Sequence, residues 1–94
     1  MRVLTITTYP QDISVRFRIE GDYFKPFYDW IMLNIPAQSR SWYPSGRYWL
    51  IDLAYFPKVF ETAYEMYDRI DEFDQHHGGH ARLYQYYPKK RVIY

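Results

Sequence analysis

Along residues 13–20 the chain alternates without a break: Val15, Phe17 and Ile19 fall on one side, Ser14, Arg16, Arg18 and Glu20 on the other. That period of two predicts a half-buried antiparallel strand. Residues 3–8, Val-Leu-Thr-Ile-Thr-Thr, are rich in β-branched side chains and predict a partner strand, with Tyr9-Pro10-Gln11-Asp12 as the turn between them. The period then changes. After Gly21 and the N-cap candidate Asp22, residues Phe24, Phe27, Tyr28, Ile31 and Ile35 recur at helical spacing, with Trp30 off the stripe. Pro26 is tolerated only in a first turn, so the helix is predicted to begin at 22–26 and to stop before Pro36.

Residues 40–52 have the chemistry of a β-hairpin. Pro44 suits the first corner of a turn, Ser45 the second, and Gly46 a position of positive φ, with β-forming aromatics on both sides. A loop of residues 44–46 pairs Tyr43 with Arg47, Trp42 with Tyr48 and Ser41 with Trp49. Arg40, Trp42, Tyr48 and Leu50 then share one face, and Ser41, Tyr43, Trp49 and Ile51 the other. A second helix is predicted from Phe56 to about Phe73, carrying Phe56, Val59, Phe60, Ala63, Tyr64, Tyr67 and Ile70 on its apolar stripe. Residues 76–80, His-His-Gly-Gly-His, break it as a flexible connector. A last hairpin is expected from residues 81–87 and 91–94, turned at Pro88-Lys89-Lys90.

The elements repeat. Three turns begin with Tyr-Pro, at Tyr9, Tyr43 and Tyr87, and Phe17, Ile19, Glu20, Tyr23 and Phe24 correspond to Trp49, Ile51, Asp52, Tyr55 and Phe56 at one constant spacing. The expected fold is α+β: one domain over residues 1–94, in the order ββα-ββα-ββ, with pseudo-repeats at 3–35, 39–73 and a truncated 81–94. Its single sheet is antiparallel, with a mixed sheet allowed, and both helices lie on one face. Val15, Phe17, Ile19, Trp49 and Ile51 are expected beneath the helices, with Phe17, Trp49 and Phe60 meeting in the core. Arg16, Arg18, Arg40, Trp42, Tyr48, Arg82, Tyr84 and Tyr86 are expected on the open face.

Composition changes this picture in one respect. Aromatic residues make up 22% of the 94, including 12 Tyr, more than so small a core can hold. A net charge of +1 excludes strong global attraction to nucleic acid, but the charges are segregated. Glu61, Glu65, Asp68, Asp71, Glu72 and Asp74 crowd the second helix and its end, while Arg16, Arg18, Arg40, Arg47, Arg82, Lys89, Lys90 and Arg91 lie in or beside strands. Cations and rings on one surface suit stacked bases with phosphates on guanidinium groups. The binding set is therefore Arg16, Arg18, Arg40, Trp42, Tyr48, Arg82, Tyr84, Tyr86, Lys89, Lys90 and Arg91.

No cysteine is present, no phosphate-binding glycine loop occurs, and Ser39, Ser41 and Ser45 have no placed base, so no enzyme and no cofactor is expected. His76, His77 and His80 lie near Asp71 and Asp74, but adjacent histidines diverge and two glycines loosen the segment, so no metal is assigned. Neither a signal-length apolar run nor a membrane span appears, and a cytoplasmic protein is expected.

The unit built around Trp42-x-Pro44-x-x-Arg47-x-Trp49, with Ile35-Pro36 ahead and a helix beginning near Tyr55 behind, resembles the HARP domain found beside the motor of annealing helicases. The likeness covers at most residues 13–70. It implies binding to single-stranded or forked DNA, without the motor. A second reading of the same composition is a small phage or mobile-element protein that binds and inhibits a host protein, such as a defence complex, through a Tyr-rich surface. Tyr84, Tyr86, Val92, Ile93 and Tyr94 further predict a protein partner or homo-oligomer through the C-terminal hairpin.

Overall fold

The computed structural model describes residues 1–88. Strands β1 (Val3–Thr8) and β2 (Arg16–Gly21) lead into helix α1 (Lys25–Asn34). Strands β3 (Arg40–Tyr43) and β4 (Tyr48–Asp52) lead into helix α2 (Phe56–Met66), and β5 (Arg69–Gln75) and β6 (Ala81–Tyr86) close the order ββα-ββα-ββ. All six strands join one sheet in the order β3-β4-β2-β1-β5-β6, antiparallel except where β1 runs parallel to β5. The fold is α+β with a mixed sheet.

Both helices are crossovers. The pairings make β2 parallel in direction to β3 and β4 parallel to β5, so α1 passes over β4, and α2 passes over β2 and β1. The two crossovers run in opposite directions along strands of opposite sense, and the right-handed preference for each places both helices on the same face. Beneath them Leu4, Ile6, Phe17, Ile19, Trp49, Ile51 and Ile70 of the sheet meet Phe27, Ile31, Ile35, Val59, Ala63 and Tyr67 in one core. Among the described residues no helix is long and apolar enough to cross a membrane.

The second helix ends earlier than its apolar stripe predicts. It stops at Met66, and residues 69–75, expected in part as helix, form β5. Arg2 is the cause. Its Nη1 donates to the Met66 carbonyl at 2.7 Å, its backbone N–H donates to Asp68 Oδ2 at 2.7 Å, and its carbonyl accepts from the Asp68 and Arg69 N–H groups at 2.9 and 3.2 Å. A guanidinium at the last carbonyls closes the helix, and the next residues continue as the ladder partner that β1 lacks. Residues 76–80 are thus the turn of the β5–β6 hairpin, closed by His76 N–H donating to the His80 carbonyl at 2.7 Å, with Gly78 and Gly79 at φ 82° and 81°. Strand β6 pairs with β5, and the expected strand at 91–94 lies outside the described residues.

One further expectation changes. Strand β2 begins at Arg16 and not at Ile13, and Val15, expected beneath the helices, is 66% exposed, with Ile13 63% exposed. Both Ile13 and Ser14 N–H groups donate to the Pro10 carbonyl, which curls this segment into the turn. Phe17 and Trp49 belong to the one core and Phe60 packs against it, as expected, with their ring contacts falling in two groups. Phe17 packs edge-on against Phe56 at 5.2 Å and Phe60 packs against Phe56, Tyr64 and Tyr86, while the ring contacts of Trp49 are with Tyr28 and Trp42.

Candidate nucleic-acid interface

The central hairpin turns through four residues, not three. Tyr43 pairs with Tyr48, Trp42 with Trp49, Ser41 with Leu50 and Arg40 with Ile51, leaving residues 44–47 as the loop. The residue at positive φ is Arg47, at 53°, and not Gly46. Gly46 is needed for a different reason: a Cβ there would stand 2.5 Å from the Tyr48 ring. A shift of one residue in pairing sends every side chain of β3 to the opposite face. Arg40 and Trp42 therefore lie on the helix side of the sheet, and Ser41 and Tyr43 on the open side.

The same logic places β6. Ile70 is buried under the helices and pairs with Tyr86, so Tyr86, Tyr84 and Arg82 also face the helix side. Tyr86 packs edge-on against Phe60 at 5.0 Å and donates its hydroxyl to Glu72 Oε1 at 3.1 Å. Arg82 Nη1 reaches the Tyr84 hydroxyl at 3.4 Å. Of the residues expected on the open face, Arg16, Arg18 and Tyr48 are there. Lys89, Lys90 and Arg91, and with them the expected association through Val92, Ile93 and Tyr94, lie outside the described residues.

On that open face the cations are already engaged. Arg16 donates to Asp52 Oδ1 at 2.8 Å, to Ser41 Oγ at 2.8 Å and to the Gln38 carbonyl at 2.9 Å. Arg18 pairs with Glu20 at 3.0 Å while its guanidinium lies 3.9 Å over the Tyr48 ring, which stacks on Tyr43 at 5.0 Å. Arg69 pairs with Asp71 at 2.9 Å. Arg16, Arg18 and Arg69 each have an acid, so among the described residues this face is close to neutral and offers phosphate little net charge.

The helix side of the same hairpin holds a different arrangement. Between α1 and the β3–β4 hairpin lies a cleft of about 830 Å³, lined by Gly21, Asp22, Tyr23, Tyr28, Met32, Arg40, Trp42, Pro44, Arg47 and Trp49. Its rings interlock: Trp42 is tilted on Trp49 at 5.2 Å, and Tyr28 on Trp42 at 5.7 Å, Tyr28 on Trp49 at 6.1 Å and Tyr23 on Tyr28 at 4.7 Å meet edge to face. Burial pushes the Tyr28 hydroxyl above its ordinary pKa, so it stays neutral. Arg40 is held by its Nε donating to the Ile35 carbonyl at 2.9 Å. Arg47 is exposed on the loop and forms no ion pair with a described residue. Asp22 Oδ2 accepts the Val3 N–H at 2.9 Å, which takes up part of the cleft's one carboxylate.

Sequence reasoning found Arg40 and Trp42 for this site but missed Tyr23 and Tyr28, and placed Trp49 in the core alone. The available signal was the Tyr23-Phe24 step with Tyr28 at the start of a helix, which puts rings on both sides of its apolar stripe. The histidines lie elsewhere: His77 Nε2 is 3.0 Å from Asp12 and His76 Nε2 is 3.7 Å from Asp74. Fold and cleft together define a class, an α+β module with a basic, ring-lined groove beside its central hairpin. Comparison with protein-family models, with curated proteins and with solved structures returns no match for the chain.

Proposed function

We propose that this chain is a small, non-catalytic module that binds single-stranded or forked DNA, and that the ring-lined cleft is its principal contact. The observation that carries the reading is the meeting of four aromatic rings with Arg40 and Arg47 in one groove. Rings accept bases of any sequence by stacking, and guanidinium groups pair with the phosphates between them. Tyr43 and Tyr48 on the other face of the same hairpin extend the aromatic surface around the sheet edge. The resemblance of Trp42-x-Pro44-x-x-Arg47-x-Trp49 to the HARP domain points to the same ligand.

Titration of labelled single-stranded, duplex and forked DNA at two salt concentrations tests this. The expected result is preference for unpaired strands and an affinity that falls with salt. Absence of binding to all three at about 100 μM in low salt, the weak end of non-specific association, would refute it.

A second reading is favoured by a separate observation. Met32 and Leu33 on α1 are 53% and 84% exposed, and Leu83, Tyr84 and Tyr87 stand out around β6. Exposed apolar groups beside tyrosines suit a protein interface, as in a phage or mobile-element inhibitor of a host protein. A purified host partner whose binding is lost on Leu33→Asp or Leu83→Asp, with DNA binding absent, would establish that reading in place of the first.

A further inference from the structure

We infer that the cleft between α1 and the β3–β4 hairpin is a pocket for one unstacked nucleotide, its base against Trp42 and its phosphate on Arg47. This rests on the nucleic-acid reading above and assigns the part of the strand that is recognised. A volume of about 830 Å³ is within the roughly 300–1,000 Å³ of small-ligand pockets and has room for a base with its sugar phosphate. Its rings and cations come together at one place beside the hairpin, where a single base and its phosphate reach both.

Shape and charge select the occupant. Trp42 is 38% exposed, but its ring is fixed by Trp49 on one side and Tyr28 on another, which leaves a rigid aromatic wall that loses little freedom on binding. The lining holds two guanidinium groups, of Arg40 and Arg47, and one carboxylate, of Asp22, which already accepts a backbone N–H. The pocket is thus complementary to a planar ring that carries negative charge. A neutral peptide would satisfy the rings and leave Arg47 without a counterpart, whereas Arg40 already has the Ile35 carbonyl and the Trp49 ring.

Arg47 occupies its place at a conformational cost. Its φ of 53° lies in the left-handed region, where a glycine would be free of strain. An arginine kept there has its head on the loop at the rim of the cleft. For the same reason Arg47→Gly removes the charge without endangering the fold.

The test is titration of the full chain with deoxyadenosine 5′-monophosphate, deoxyadenosine and ribose 5-phosphate, read at the indole N–H resonances of the three tryptophans. The monophosphate is expected to shift Trp42 and Trp49 but not Trp30, which does not line the cleft. It should also displace a labelled single-stranded oligonucleotide. Omitting either base or phosphate should weaken binding about tenfold or more, and Arg47→Gly should weaken both ligands about tenfold, the size of one charge-assisted hydrogen bond. Trp42→Ala should remove the response to the monophosphate.

An oligonucleotide that binds wild type, Trp42→Ala and Arg47→Gly equally, without competition from the monophosphate, overturns the pocket and leaves the DNA reading intact. Absence of binding by oligonucleotide and monophosphate alike overturns both. A proline-rich or aromatic peptide that shifts Trp42 where the monophosphate does not would make the cleft a protein-binding site and overturn the pocket as well.

Discussion

Trp42 and Trp49 face each other across the β3–β4 ladder with ring centroids 5.2 Å apart and planes inclined by 50°. This pair sets the hairpin's register. Directly opposed side chains on one face are the closest cross-strand neighbours, and an aromatic pair there adds about 0.2–1 kcal/mol over a pair of alanines. The four-residue loop and the indole pair therefore agree, and together they turn Arg40 and Trp42 toward α1.

The two indoles differ in burial, and their replacement should show it. Trp49 is 5% exposed and Trp42 is 38% exposed. Trp49→Ala should cost about 3–5 kcal/mol, enough to threaten a domain of this size, and Trp42→Ala clearly less. Trp49→Phe should be milder than Trp49→Ala, because the indole Nε1 is buried without a hydrogen-bond partner among the described residues and its loss forfeits no such bond. Denaturant unfolding of the three variants checks the ranking; a larger loss at Trp42 would mean that the hairpin is packed the other way round.

Arg47→Gly should raise stability while lowering affinity for nucleotide. A non-glycine residue in the left-handed region carries roughly 1–2 kcal/mol of steric cost, of which the greater freedom of glycine when unfolded returns part. The expected gain is up to about 1 kcal/mol, read as a higher melting temperature. A fall in melting temperature would show that the Arg47 side chain has a structural partner.

Tyr67 predicts the alkaline limit of the fold. Its ring is buried between Phe24 and Phe27, its hydroxyl donates to the Asp22 carbonyl at 2.9 Å, and burial pushes its pKa well above the ordinary value. The neutral form is thus favoured in the folded chain. Its contribution is complete below about pH 10, where tyrosine is protonated in both states, and declines as pH rises beyond that by about 1.4 kcal/mol per unit. Tyr67→Phe should lose roughly 1 kcal/mol at neutral pH and flatten this alkaline slope. Urea midpoints measured at about pH 8 and pH 11 decide the matter; an unchanged slope in the variant would assign it to Tyr28 or Tyr86 instead.

Gly21→Ala should be among the most damaging small substitutions. At φ 135° only glycine is comfortable, and an added Cβ would come 2.5 Å from the Val3 carbonyl oxygen. Backbone strain alone costs about 1–3 kcal/mol, and the clash would pull β1 from β2 beside the cleft. Unfolding by heat should show the loss. A variant as stable as wild type would require a different path for the chain at the end of β2.

The sequence by itself determined the elements whose limits are set by local chemistry. Helix α1 lies between the constraints of Pro26 and Pro36, α2 starts at Phe56-Pro57, and the alternation through Phe17 and Ile19 makes β2 and selects its buried side. The order ββα-ββα-ββ and the α+β class follow from those elements in series. Tertiary structure decided where α2 ends, since Tyr67 and Ile70 fit either a helical stripe or a strand, and it is Arg2, at the other end of the chain, that closes the last turn. It also decided which way β3 and β6 face. Alternation along a strand separates two sets of side chains but does not say which set meets the core. That choice comes from register against a neighbouring strand, so the exposed Arg and Tyr of an edge strand are assigned to a face only when Trp49 and Ile70 supply the partner row.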